Sequence, residues 1–193
     1  KSGVCDSLAS RLVGVIDLRA GIAVHAIAGL RAKYQPVVPD DIQHTGIQPG
    51  DAQPGDAIAL ATRYQRWGVK SLYIADLDAI SGREPQIDLL QKLVARSETT
   101  LIDAGPGSAV VSDSLASSTS VKFVVPTESC GSIDHWADAV KQLSHHQVVM
   151  GLDLIGSTVR TNRPNAAGTT PFCTDTLLSH VSQFFEPLHP CVE

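Results

Sequence analysis

The chain has no closely spaced cysteine pair, no run of basic residues, few aromatics and no long apolar stretch, and each absence excludes a class of protein. Its four cysteines, Cys5, Cys130, Cys173 and Cys191, stand far apart. That spacing suits isolated reduced thiols rather than a zinc ribbon or a disulfide framework, and points to a cytoplasmic protein. Fifteen Lys and Arg against twenty Asp and Glu leave a net charge of -5. With the bases scattered, there is no stripe to neutralise a nucleic-acid backbone or to dock on anionic lipid. No apolar run approaches the roughly 18 residues of a membrane span, and the N-terminus lacks the basic, apolar, small-residue order of a signal peptide. The expected partners therefore include neither nucleic acid nor membrane. The chain opens on Lys1 and its one methionine is Met150, so a processed chain or a fragment is expected.

What is present is a regular alternation. At 193 residues and 43% hydrophobic content, the chain suits a single domain, 1–193, with a sizeable core. Five aliphatic runs, at 12–18, 71–77, 99–103, 121–125 and 147–154, are continuously apolar, as parallel strands buried on both faces are. Helical spacing fills 56–67, 85–95, 109–117, 133–143 and 174–185. This β, α, β, α order implies a parallel sheet with right-handed crossovers, either a closed barrel or an open doubly wound sheet. Every run ends in polar or glycine-rich residues, whereas an open sheet concentrates them at one switch point. The expected fold class is α/β, a (βα)8 TIM-barrel type represented by about five βα units.

Two long connections, 32–55 and 163–171, are rich in proline and glycine and read as loops over the active face, either a lid or a tolerated insertion. The first and fifth strands repeat each other: GVIDLRAGIAV from Gly14 beside MGLDLIGSTV from Met150. The repeat places Asp17 and Asp153 at equivalent strand ends, where two carboxylates can divide the roles of base and acid; the alternative is that each caps its own loop. Asp76 and Asp78 bracket Leu77, so strand alternation turns them to one face, as mouth-lining groups or as loop caps. His25 falls in a hairpin-like extension after the first strand and either reaches the mouth or satisfies a loop. The Gly105-Pro106-Gly107 loop before a helix offers N–H groups to a phosphate. His145 and His146, before the fifth strand, read as solvated loop residues at the opposite end. No metal-ligand spacing occurs.

These residues resemble the HisA/HisF family of histidine biosynthesis, barrels built from two half-barrel repeats. The segments that carry the resemblance are VIDLRAGIAVHAIAG (Val15 to Gly29), SLYIADLDAISG (Ser71 to Gly82) and VVMGLDLIGSTVR (Val148 to Arg160). The resemblance implies a cofactor-free, metal-free Amadori-type isomerase that turns an aminoaldose into an aminoketose, acting on a small phosphorylated ribotide. It maps base and acid onto Asp17 and Asp153; the candidate substrate-binding residues beside them, read from their place at the strand ends, are His25, Asp76, Asp78, Asp103, Gly105, Gly107 and Thr127. The chain departs from the family pattern in several places. DAGPGSA, from Asp103, stands where a GGG phosphate loop is usual, and Pro106 removes a donor. VPT replaces IGT but keeps Thr127, and His25 replaces an arginine. The run from His25 to Val37 resembles a HisA-like side branch associated with methanopterin and methanofuran genes. Five units leave barrel edges uncovered, so self-association is an expected partnership and a non-catalytic half-barrel a third reading.

Overall fold

In the computed structural model the described residues are 9, 11–25, 27, 33–38, 53–130, 133–143, 146–152, 154–155 and 158–159. Seven strands form one sheet: β1 (Val13–Arg19), β2 (Ile22–His25), β3 (Gln35–Pro36), β4 (Ser71–Asp76), β5 (Thr99–Asp103), β6 (Val121–Pro126) and β7 (Gln147–Gly151), in the order β3-β2-β1-β4-β5-β6-β7. The ladders β1–β4, β4–β5 and β5–β6 are parallel, while β1–β2 and β2–β3 are antiparallel. A separate two-stranded ladder joins β8 (Leu154–Ile155) to β9 (Thr158–Val159). The helices are α1 (Ala57–Arg66), α2 (Leu77–Ile80), α3 (Ile87–Val94), α4 (Ser108–Ser114) and α5 (Ile133–Gln142). This is the expected α/β class, with parallel strands linked through helices.

Two compact units divide the chain, one holding residues up to 124 together with 143–149, the other holding 125–142 and 150 onward. In the first, β1 alternates strictly. Ile16 and Leu18 are buried, whereas Val13 and Val15 are 45% and 51% exposed. Gly14 lies under the ring of Tyr64 from α1, so its face is the helix side of the sheet. Ile16, Leu18, Leu72, Ile74 and Ile102 from the strands are buried with Leu90 and Leu93 of α3 and Val111 of α4. In the second unit, Trp136 of α5 is fully buried and its indole N–H donates to Val125 O at 3.1 Å.

The helix ends follow from local chemistry. Asp56 caps α1, its Oδ1 accepting from Ala59 N at 2.9 Å, and Arg63 and Arg66 lie in the last turn where the helix dipole favours cations. Gly68, at φ +79°, then closes the helix: Gly68 N donates to Gln65 O and Val69 N to Tyr64 O, the paired bonds of a Schellman motif. The single-turn α2 closes the same way, with Gly82 N on Ala79 O and Arg83 N on Asp78 O.

The hairpin-like extension expected after the first strand is the antiparallel strand β2, because Ala20 (φ 50°) and Gly21 (φ 83°) supply the two left-handed residues of a primed hairpin turn. Two other elements differ from the expected order. The connection over 32–55 contains β3, and its described ends are laced to β2. Val37 N donates to Ala23 O, Gly55 N to Val37 O, and Ala23 N to Gly55 O. Pro36 fits there because β3 ends the sheet order and needs no further donor. The second run stops at Asp76 rather than Leu77, where a helix begins. Residues 39–52, the 163–171 loop and the helix expected over 174–185 lie outside the described residues.

The sequence repeat has a structural counterpart. Arg19 pairs with Ile22 and Leu18 with Ala23; at the matching offsets, Ile155 pairs with Thr158 and Leu154 with Val159. In both halves of the repeat the residue after the Asp-Leu pair is matched, across an antiparallel ladder, with the residue three positions on. The run expected as a fifth strand to Leu154 therefore ends at Gly151, Leu154 being recruited to the hairpin.

A Cβ built on Gly14 would lie 2.5 Å from Tyr64 Cδ2, and Tyr64 is also tied by its hydroxyl to Val15 O at 3.0 Å. Gly14→Ala is expected to cost about 1–3 kcal/mol as the ring is driven off the strand, read as a lower urea midpoint at unchanged m-value.

Candidate functional site

The C-terminal ends of β1, β4 and β5 gather four carboxylates, and register assigns them to two faces. Asp17 pairs with Ala75, and Ala75 with Asp103, so these three residues form one row across neighbouring strands on the face away from the helices. Two strand spacings put the Asp17 and Asp103 backbones roughly 10 Å apart, with only a methyl side chain between them. Asp76 pairs with Leu18, in the next row, and so shares the helix-facing side.

Asp17 is half-buried. Burial raises its pKa above the ordinary 3.8, while the nearby charge of His25 pulls it partly back. His25 is exposed at the end of β2, opposite Gln35. Burial chiefly, with a contribution from the Asp17 charge, also raises the phenol of Tyr64, against the lowering effects of Arg63 and of the bond to Val15.

Asp76 is 0% exposed, and all of its described bonds remain inside the chain. Oδ1 accepts from the N–H groups of Asp78 and Ala79, both at 3.1 Å, and from Gln86 Nε2 at 3.0 Å; Oδ2 accepts from Gln86 N at 2.7 Å. It is the N-cap of α2. This is why strand alternation fails to describe Asp78: the cap turns the chain into a helix one residue earlier. Asp78 in turn fastens the hairpin. Its Oδ2 accepts from Ala20 N at 2.7 Å, and its Oδ1 accepts from Arg83 Nε at 2.9 Å and from the Arg83 terminal guanidinium nitrogen. Gln86 Oε1 takes Gly21 N at 2.7 Å. Both donors of the β1–β2 turn thus end on side chains that follow β4.

Asp103 is 7% exposed. Its Oδ1 accepts from Gly105 N at 3.1 Å and its Oδ2 from the hydroxyl of Tyr73 at 3.3 Å. Tyr73 lies in the row below, paired with Val15 and Leu101. The loop after Asp103 is a 3-10 turn, Gly105–Gly107, in which Gly107 N donates to Ala104 O and Ser108 N to Gly105 O. With Pro106 lacking an N–H, the donors on which a phosphate reading depends are all engaged locally. The two glycines have a packing reason instead. A Cβ on Gly105 would stand 3.0 Å from Ile80 Cα, and one on Gly107 2.9 Å from Ala79 Cβ, so the loop presses directly on α2.

Thr127, fully buried, opens the 3-10 turn Thr127–Ser129 of the second unit, where its carbonyl accepts from Cys130 N. Asp153 and His145 lie outside the described residues, as do Cys5, Cys173 and Cys191. Burial raises the thiol pKa of Cys130. His146 packs on Phe123 with ring centroids 5.1 Å apart, and its Nε2 lies 3.2 Å from Ser112 O, so it is a packed residue rather than a solvated one. Among the described residues no three His, Cys, Asp or Glu side chains could hold a metal, and no helix is long and apolar enough to cross a membrane. Sequence reasoning passed over Tyr73, Arg83 and Gln86. Tyr73 had a signal, since it precedes Ala75 by two on the strand face that register shares with Asp103; the other two had none.

Asp76→Ala strands three backbone donors and is expected to cost about 3 kcal/mol, with Asp76→Asn losing less, measured by chemical denaturation. For Asp17 the raised folded pKa means that its contribution to stability is full below the ordinary carboxylate value and is lost as pH rises through the raised one. Asp17→Asn should therefore be more stable than the parent at pH 7, and urea titrations should show the gain vanishing below about pH 4.

The family model described as histidine biosynthesis protein matches residues 11–175. An uncharacterized protein of Methanocaldococcus jannaschii, MJ0703, is 30% identical over 83 residues, which cover 43% of this chain. The match spans about a third of that curated relative's length, 32%.

Proposed function

Since the chain belongs to the histidine biosynthesis protein family, the HisA/HisF family of TIM barrels, we propose that it carries out acid–base isomerisation of an aminoaldose to an aminoketose, with Asp17 as general base. The observation that carries this reading is the state of Asp17. It ends β1 on the face away from the helices, half-buried, with its pKa pushed upward. A base in this role takes the C2 proton of the opened sugar, and a carboxylate raised toward neutrality accepts a proton more readily than an ordinary one. A second group must protonate the ring oxygen as the ribose opens. Asp153 is assigned that role by the repeat, and the matched turn registers of the two hairpins support the assignment. No metal or cofactor enters the chemistry.

On the first version of this reading the substrate is the phosphoribosylformimino-5-aminoimidazole carboxamide ribotide of histidine biosynthesis, bound also by His25 and Thr127. A second version keeps the Asp17 chemistry and changes the substrate, making the protein a HisA-like enzyme of methanopterin- or methanofuran-type cofactor biosynthesis. The engaged amides of the Gly105–Gly107 turn favour it, because a ribotide needs phosphate donors that this loop does not offer.

Turnover of the ribotide by the complete reading frame decides between them. Activity that falls by roughly 10²–10⁴-fold in Asp17→Asn, with an acidic limb of kcat/KM lying above the ordinary carboxylate range, is the expected result for the first version. A folded, full-length protein without turnover leaves the second.

A further inference from the structure

We propose that Gln86 and Asp78 are positioning residues for Asp17: by accepting the two amides of the β1–β2 turn they hold β2, and with it Val24, against the carboxylate. The inference rests on reading Asp17 as the general base, and it names the groups that keep that base in its surroundings.

The hairpin needs outside support. Both central positions of a two-residue primed turn take φ > 0, which is why Asn-Gly, Asp-Gly and Gly-Gly favour it. Here the first position is Ala20, at φ 50°, where the Cβ crowds the backbone. The strands are short as well, four residues in β2 and two in β3 beyond it, and a small hairpin is marginal by itself. Amides at the tip of such a turn can be satisfied by water. Instead Ala20 N donates to Asp78 Oδ2 and Gly21 N to Gln86 Oε1, both at 2.7 Å. Each acceptor is itself fixed: Arg83 holds the other oxygen of Asp78, and Gln86 Nε2 donates to the fully buried Asp76 at 3.0 Å. The turn is thus anchored at the end of β4, the strand that also carries Ala75, the parallel partner of Asp17.

What the anchored turn positions follows from register. Asp17 is paired with Val24, and directly opposed residues put their side chains on one face with Cβ atoms about 5 Å apart. Val24 is 6% exposed, so it covers a side of Asp17 that would otherwise meet water. His25 follows at the end of β2. The strand therefore acts on the carboxylate in two opposite senses. Burial disfavours the ionised form, the charge of His25 favours it, and burial is the larger effect. Loosening β2 weakens both, so the net movement follows the larger one, toward an ordinary carboxylate. Among the described residues, the other charged or titratable groups on the elements beside Asp17 are Arg19 of β1, Tyr73 of β4, Asp103 of β5, and Arg63 and Tyr64 of α1, whose phenol feels the Asp17 charge. Of these only Arg19 adjoins the turn.

The experiment uses the whole 193-residue chain. A carboxyl carbon-13 NMR titration reads the midpoint of Asp17, and the NOE between the Asp17 β-protons and the Val24 methyls reads the seating of β2. Gln86→Met removes the acceptor of Gly21 N without changing charge. It should weaken the NOE and move the Asp17 midpoint down toward the ordinary 3.8. Adding Ala20→Asn, which gives the first turn position a residue that tolerates φ > 0, should return both toward the parent values. Asp78→Asn should move the midpoint the same way, its lost charge adding to the lost anchoring. Leu115→Ala opens a cavity at the far end of α4, away from the turn, and should leave both readings unchanged. An Asp17 midpoint that stays in place in Gln86→Met, that moves only in Asp78→Asn, or that moves as far in Leu115→Ala overturns the proposal. So does a Gln86→Met, Ala20→Asn double variant that recovers neither reading. No arm depends on turnover, so a failed isomerase assay and a failed positioning test are separate results.

Discussion

A buried carboxylate must find donors, and at the end of β4 that requirement organises the first unit. Asp76 has no exposure, so each lone pair left without a donor would carry the cost of an unmet charge. The chain meets the requirement with three backbone N–H groups and the side chain of Gln86. Those bonds start a one-turn helix directly at the strand end, which brings Asp78 back toward β1 and lets it take Ala20 N. The strained left-handed Ala20 is tolerated because its donor has a charged partner. From one carboxylate there follow a helix start, a fastened hairpin and the placement of the strand that carries His25.

The same helix explains the loop after β5. Because α2 is short and lies against the strand ends, the chain leaving Asp103 has to pass over Ala79 and Ile80 with no room for a Cβ. Glycine is a common feature of loops that bind phosphate, but it is equally what close backbone packing requires. Here the second requirement holds, since Gly105 and Gly107 press on Ile80 and Ala79, and the amides of Gly105, Gly107 and Ser108 are bonded within the turn.

Asp17 differs from its neighbours in what surrounds it. Asp76 and Asp78 are defined by the bonds they accept, whereas the state of Asp17 is set by burial and by the charge of His25. Burial without a strong compensating partner destabilises the ionised form, and that is a cost a fold keeps where a proton is to be moved. Asp17 shares a row with Asp103 across Ala75, on the face away from the helices.

The strands, the main helices and the repeat were legible in the sequence because each rests on short-range patterning: aliphatic runs bounded by turns, helical spacing, and Asp-Leu recurring with glycine after it. Asp56 before α1 and Gly68 after it mark their helix without any tertiary information. The division of the carboxylates was not legible. Asp17, Asp76 and Asp103 all end aliphatic runs and look alike in sequence, yet register puts Asp76 on the helix side and the other two on the opposite face. The role of Asp78 depends on partners 58 residues away at Ala20, and the glycines of the β5 loop on contacts with a helix 25 or more residues earlier. Local chemistry determined which residues end strands and begin helices; only the packing of distant segments decided which carboxylate lies on the helix side of the sheet and which one fastens the hairpin.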